Sequence, residues 1–305
     1  MSDLLIVGLA GFFASMVDGA LGMGFGPTSS SILLSSGVSP AAASATVNLA
    51  KIATGIAAGA SHWRFGNIDR RLVLKVAIPG ALGALIGTTV LANVDGTKIR
   101  PILAVLLIIV GLRILFRFSR PLPKPRRGDV APEGATATAP AFDERGVKAA
   151  SAVGGVTNGL VGAWGPVVTP FLLHRGLPPR YAIGTVNTAE IAVAIVSVGS
   201  LFASLGGKGI ELGVVLAMLV GGVLAAPLAA YVVRFVPPRL LGLAVAGLLL
   251  ITQTREIAST QELPGSRWIA YLGIPVALAA AAVRPRILRK LRRRRAAAMA
   301  ASVPA

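Results

Sequence analysis

Asp18-Gly19-Ala20-Leu21-Gly22-Met23-Gly24-Phe25-Gly26-Pro27 interrupts an apolar run from Leu4 to Ala50 in which Asp18 is the only charge. The run is too long for one membrane crossing, which takes roughly 20 apolar residues. Its glycines break the helix within the run. In a lipid environment a break leaves backbone N–H and C=O groups unpaired, so it must be buried in protein or line a polar cavity. The interval Asn158-Gly159-Leu160-Val161-Gly162-Ala163-Trp164-Gly165-Pro166 repeats the pattern.

The repeat extends outward from the break. Gly37-x-x-Pro40 matches Gly176-x-x-Pro179, and Thr46-Val47-Asn48 matches Thr185-Val186-Asn187. Blocks in the same order point to a duplication. The sequence between them divides into apolar segments: Leu4–Gly19, a broken segment to Ser36, Pro40–Ala60, Leu72–Asn93 and Ile99–Phe116. His62, Trp63, Arg64, Asp69, Arg70 and Arg71 read as a polar loop. The second half gives Val147–Leu173, Tyr181–Leu205, Leu212–Val233 and Leu240–Ile251, and Trp268–Val283 follows as an addition. The N-terminal segment lacks a basic region ahead of its apolar run, so it reads as a span and not as a signal peptide.

These segments predict an all-α polytopic membrane protein. The organisation is a first repeat (1–118), a cytoplasmic linker (119–145), a second repeat (146–252), an extra helix (253–283) and a basic tail (284–305). The linker carries five prolines among charges of both signs and reads as irregular. Composition supports the class. Of 305 residues 54% are hydrophobic and 14% charged, mean hydropathy is +0.75, yet the net charge is +18. A soluble basic protein could match the charge but not the apolarity. With no cysteine and only His62 and His174 as histidines, no thiolate or His-rich metal site is expected, and no cofactor.

Basic residues in short loops favour the cytoplasmic side. If each broken segment forms a hairpin returning to its starting side, each repeat crosses an odd number of times. Of the 30 basic residues, 24 then fall on one side and five (Lys98, Arg100, Lys208, Arg255, Arg267) on the other. The alternative topology scatters the clusters. The expectation is two inverted repeats, each a broken-helix hairpin followed by about three transmembrane helices, with the N-terminus outside and the C-terminus inside. Inverted repeats with matched broken helices are the pattern of secondary transporters, whose substrates bind at the breaks.

Freed N–H groups at a half-helix start favour an anion, which nominates Gly22, Gly24, Gly26, Gly162 and Gly165. The other reading of these glycines is close helix packing. Lys51 and Glu190 hold one position in the two repeats, each inside an apolar helix, where an ionisable group is costly and a functional candidate by default. Lys51 is a candidate substrate cation and Glu190 a candidate proton site; a purely structural ion pair is the competing reading. Asp18, whose counterpart is the neutral Asn158, is either a helix cap or a second proton carrier. Thr46, Asn48, Thr185 and Asn187 offer donors to an oxyanion, or interhelical hydrogen bonds. Trp164 reads as a gate or as packing. The Arg292–Arg295 run, directly after a span, reads as a lipid-facing topology anchor and not as a nucleic-acid patch. No P-loop, paired catalytic carboxylates or triad is present, so neither an enzyme nor an ATP-driven pump is expected.

The Gly11-Phe12 to Gly26-Pro27 run, Leu33-Leu34-x-x-Gly37-x-x-Pro40 and the following Thr46-x-Asn48 resemble the TauE/SafE family of membrane permeases, over about Leu4 to Ile251. The resemblance implies a prokaryotic inner-membrane secondary transporter. It also implies export of sulfite or an organosulfonate such as sulfoacetate. The alternating Gly22-Met23-Gly24-Phe25-Gly26 and the Trp164 of the second copy depart from the usual Gly-Gly run, which leaves the substrate open. Uptake of another small anion, or an accessory role without transport, remain as alternatives. Apart from a small anion and membrane lipid, no partner is indicated, and no nucleic acid.

Overall fold

The computed structural model describes residues 2–21, 24–119, 141–205, 212–232, 238–260 and 273–278. Among these, regular structure is helical: α1 (Ser2–Leu21), α2 (Phe25–Ser35), α3 (Pro40–Arg64), α4 (Arg70–Asn93), α5 (Gly96–Ser119), α6 (Val147–Val161), α7 (Gly165–His174), α8 (Pro179–Leu205), α9 (Leu212–Val232) and α10 (Pro238–Thr260). α4, α5 and α8 are each long and apolar enough to cross a bilayer. Exposed Leu74, Ile78, Leu82, Ile102, Ile109 and Phe116 give α4 and α5 outer faces suited to hydrocarbon.

The duplicated Leu-Leu-x-x-Gly-x-x-Pro block has a mechanical explanation. Gly37 and Gly176 take φ values of +88° and +91°, which only glycine adopts without strain. Val38 N–H reaches Leu33 O, and Leu177 N–H reaches Leu172 O, both at 3.1 Å. Each is the six-to-one bond of a Schellman stop. Proline then opens the next helix, where its missing N–H costs nothing. The short helices α2 and α7 are therefore cut and turned back by the same device.

Several boundaries differ from expectation. His62, Trp63 and Arg64 complete α3 and are not loop. α4 starts at Arg70 because the Asp69 side chain caps it, accepting from Arg71 N (2.9 Å) and Leu72 N (3.2 Å). α10 runs on to Thr260; its polar Thr252 and Gln253 bond to Ser31 of α2 at 2.6 and 2.8 Å. Most of the terminal segment 268–283, Gly22, and the Arg292–Arg295 run lie outside the described residues.

Packing is reciprocal between the halves. α1 lies along α9 as α6 lies along α4, α3 meets α8, and α5 meets α10. Glycine makes the first two contacts possible. A Cβ on Gly83 would stand 2.0 Å from Ala152 O, and one on Gly155 1.9 Å from Gly80 O. Across α1 and α9, a Cβ on Gly221 would stand 1.9 Å from Gly8 O. Such stripes let backbones approach closely, the main source of helix association in lipid.

The ends of α2 and α7 are tied down separately. Arg100, in the first turn of α5, donates to Leu34 O, Gly37 O and Val38 O at 3.1–3.3 Å and pairs with Glu256 of α10. Before α6, Asp143 N–H donates to Arg175 O at 3.2 Å and its carboxylate pairs with the Arg175 guanidinium at 2.5 Å. Glu144 pairs with Lys75 of α4. The start of α6 and the end of α7 thus lie together. Lys75 lies in the second turn of α4, whose 24 residues span roughly 36 Å, and Arg100 follows the other end of that helix in α5.

Candidate functional site

The two helix breaks meet. A Cβ on Gly26 would stand 1.8 Å from Gly162 O and 3.0 Å from Lys51 Cε. Gly24 takes φ +141° as the residue before α2, and Gly162 takes φ +66° after α6. Beside this crossing lies a cavity of about 20 Å³, lined by Asp18, Gly24 to Pro27, Lys51, Thr54, Gly162, Gly165, Pro166 and Glu190. That is room for about one water. The first residues of both α2 and α7 line it, so the positive ends of two helix dipoles converge on one point.

Lys51 rises into the cavity from α3. Its ammonium has three donors, and all three are used: Glu190 Oε1 at 2.5 Å, Gly162 O at 2.6 Å and Asn158 Oδ1 at 2.9 Å. The residue is 4% exposed. A charge buried this far is tolerated only when paired and hydrogen-bonded. Glu190 comes from α8, so the pair joins the two halves. Asp18 Oδ1 accepts from Phe25 N–H at 3.3 Å and so caps α2.

A polar network supports this arrangement from behind. Asn158 Nδ2 donates to Asn48 Oδ1 (2.7 Å) and Ser197 Oγ (3.2 Å), while Asn48 Nδ2 donates to Ser44 O (2.9 Å). Ser44 Oγ donates to Gly159 O (2.6 Å), and Ser30 Oγ to Val161 O (2.9 Å). The carbonyls freed by the end of α6 are therefore satisfied by α2 and α3. These bonds fix the Lys51 acceptors in place.

Of the residues singled out in the sequence, Asp18, Gly24, Gly26, Lys51, Gly162, Gly165 and Glu190 come together. Asn48 stands one layer behind them. Thr46 and Thr185 are buried but do not line the cavity, and the Thr185 hydroxyl has no partner. Asn187 faces elsewhere, 3.4 Å from His62 Nε2. Trp164 is fully buried, donates from Nε1 to Val186 O at 3.0 Å and packs on Gly80 and Gly154, which is the packing reading. Phe25, Pro27, Thr54 and Pro166 were not singled out as site residues. The two prolines were visible in the repeat itself, and Thr54 lies one helical turn beyond Lys51. Among the described residues no cluster of metal-binding side chains occurs.

Outside the helices, two carboxylates are held below their ordinary pKa. Asp95 accepts from the Thr97 hydroxyl and N–H. Asp143 accepts from Arg145 N–H and then from Arg175. Both stay charged across the physiological range.

Residues 7–255 match the sulfite exporter TauE/SafE family. The chain is also 36% identical over 279 residues to the probable membrane transporter protein YtnM of Bacillus subtilis strain 168, covering 88% of this chain and 85% of that protein. No solved structure matches it.

Proposed function

The chain belongs to the TauE/SafE family of multi-pass membrane transporters, and on that premise we propose that it exports a small sulfur-containing anion, sulfite or an organosulfonate, across the inner membrane. The observation that carries this reading is the placement of Lys51. A buried ammonium stands where two half-helix starts converge. Fixed positive charge and helix starts together are the chemistry of an oxyanion site. The glycines let a ligand approach the backbone closely.

The site is closed by the protein's own carboxylates. Glu190 holds the ammonium, and Asp18 holds the start of α2. The cavity takes about one water, so a sulfur oxyanion must displace a carboxylate to bind. A displaced carboxylate in a dry site is stabilised by a proton. Anion and proton therefore load together and travel in the same direction. A dianion carried with one proton still moves one negative charge outward, favoured by an inside-negative potential at about 2.3 kcal/mol per 100 mV.

Alternating access would move one repeat against the other. The reading takes the repeats as inverted, with the N-terminus outside. Its support is that α6 starts beside the end of α7, near Lys75, whereas the end of α2 is held by Arg100 beyond the far end of α4. Binding is tested by thermal shift of the purified protein against sulfite, sulfate, thiosulfate, sulfoacetate and taurine. A ligand at a hundredfold excess over its Kd stabilises by about 2.7 kcal/mol. K51A should lose that shift, and a panel with no shift in the wild type would sink the reading.

A further inference from the structure

The groove between the starts of α4 and α6 has a chemistry that transport does not use. Arg71 and Lys75 stand one helical turn apart on α4, and Lys148 opens α6 opposite them. With Leu74, Ile78, Pro79 and Leu82 they line a groove of about 510 Å³, within the roughly 300–1,000 Å³ of specific ligand sites. The groove has two distinct parts. One end is a basic rim: Arg71 and Lys148 are exposed, while Lys75 is half-buried and paired with Glu144. Three cations against one carboxylate leave an excess of two positive charges. The other part is an apolar stripe, Leu74, Ile78 and Leu82, spaced four residues apart and each about 60% exposed.

We propose that this groove binds an anionic phospholipid. Its phosphodiester sits among Arg71, Lys75 and Lys148, and one acyl chain follows Leu74, Ile78 and Leu82 into the membrane. Charge complementarity selects this occupant. A soluble anion would satisfy the rim but leave the stripe unused. A zwitterionic lipid would cover the stripe but leave the rim's excess charge uncompensated. Basic pockets between transmembrane helices are built for anionic headgroups. The second groove on α4, beside Trp63 and Ile191, has Arg70 as its one basic residue and does not share this selection. Because α4 belongs to the first repeat and α6 to the second, a lipid seated here touches both halves. The proposal concerns a surface remote from Lys51, so its failure would leave the transport reading intact.

Native mass spectrometry of the full chain tests it, with phosphatidylglycerol and phosphatidylcholine of identical acyl chains. The wild type should retain phosphatidylglycerol about tenfold more than phosphatidylcholine. R71Q/K148Q should lose that preference while keeping its circular dichroism, since both side chains are exposed and the Lys75–Glu144 pair is left in place. K98Q/R255Q, which removes two exposed cations elsewhere, should keep it. Excess glycerol phosphate should not displace the bound lipid. Equal retention of the two lipids, an undiminished preference in R71Q/K148Q, or displacement by glycerol phosphate would each overturn the proposal.

Discussion

Lys51 Nζ lies 2.5 Å from Glu190 Oε1, although the two residues are 139 positions apart and occupy the same place in the two repeats. Opposite charges stand three residues after the matching Thr-Val-Asn blocks of the two halves, so the halves are joined at this pair. Removing one partner leaves a buried charge uncompensated, which costs about 3–5 kcal/mol, whereas replacing both with apolar residues costs far less. K51M and E190L are each expected to destabilise the protein by about 3 kcal/mol. K51M/E190L should come within about 2 kcal/mol of the wild type, the residue of the cost being the abandoned Gly162 O and Asn158 Oδ1. Denaturant unfolding of the four proteins gives the coupling energy. Simple additivity of the single variants would show that the two side chains do not act as a pair.

The same pair makes a pH prediction. If anion binding releases a carboxylate that then takes a proton, anion affinity must rise as pH falls, by up to tenfold or about 1.4 kcal/mol per unit for one linked proton. The sulfite thermal shift, measured with the anion's own ionisation accounted for, should grow as pH falls. E190Q, uncharged throughout, should flatten the slope. The exposed pair of Asp143 and Arg175 does not confuse the measurement. Asp143 has a lowered pKa, so its contribution is fully present above the ordinary carboxylate range and is lost only as pH falls through the lowered value. A slope of opposite sign would mean that anion and proton compete.

Much of the centre was legible in the sequence because its signals are costly. An ionisable residue in an apolar helix and a Gly-Pro break both need a reason, and both recur at matched positions. Lys51 and Glu190 surfaced that way, and Asp18 surfaced as the one charge beside the first break, opposite the neutral Asn158. The polar residues were harder to place. Asn48 and Asn187 match in the sequence, yet Asn48 supports the site and Asn187 meets His62. Neighbours settle which face of a long helix lies toward the break, and single-sequence periodicity carries little of that where nearly every residue is apolar. The support from Ser30 and Ser44 was silent for a similar reason: small hydroxyls suit packing interfaces anywhere in a membrane protein. The reciprocal helix pairing needed the coordinates, although its glycines were in view.

Two glycines with similar sequence signatures should respond differently. At Gly26 a Cβ would meet the Gly162 carbonyl at 1.8 Å, and backbone cannot yield as a side-chain tip can. At Gly37, φ is +88° but nothing lies within 4 Å. G37A is expected to cost about 1–2 kcal/mol, the strain of a left-handed alanine. G26A should cost about 3 kcal/mol or more through displacement of the crossing, and should abolish anion binding. Thermal unfolding and sulfite binding of both variants check this. A G26A protein that binds as the wild type does would show that the crossing is slack.

The ion pairs at the two ends of α4 give the last test. Arg100 ties the end of α2 to α10, and Arg175 with Asp143 ties the end of α7 to the segment before α6. In an alternating-access carrier these ties would hold opposite entrances closed. The chain has no cysteine, so Thr54→Cys, which lines the cavity, is a single reporter. In vesicles of known orientation, R100Q should speed its reaction with a membrane-impermeant maleimide from one face. R175Q should do so from the other. Ion pairs that reach solvent, as both of these do, are weak ties, so each rate should rise only about fivefold. The asymmetry matters more than the size. If both variants raise labelling from the same face, the two ends of the short helices do not guard opposite entrances, and movement of one repeat against the other loses its structural support.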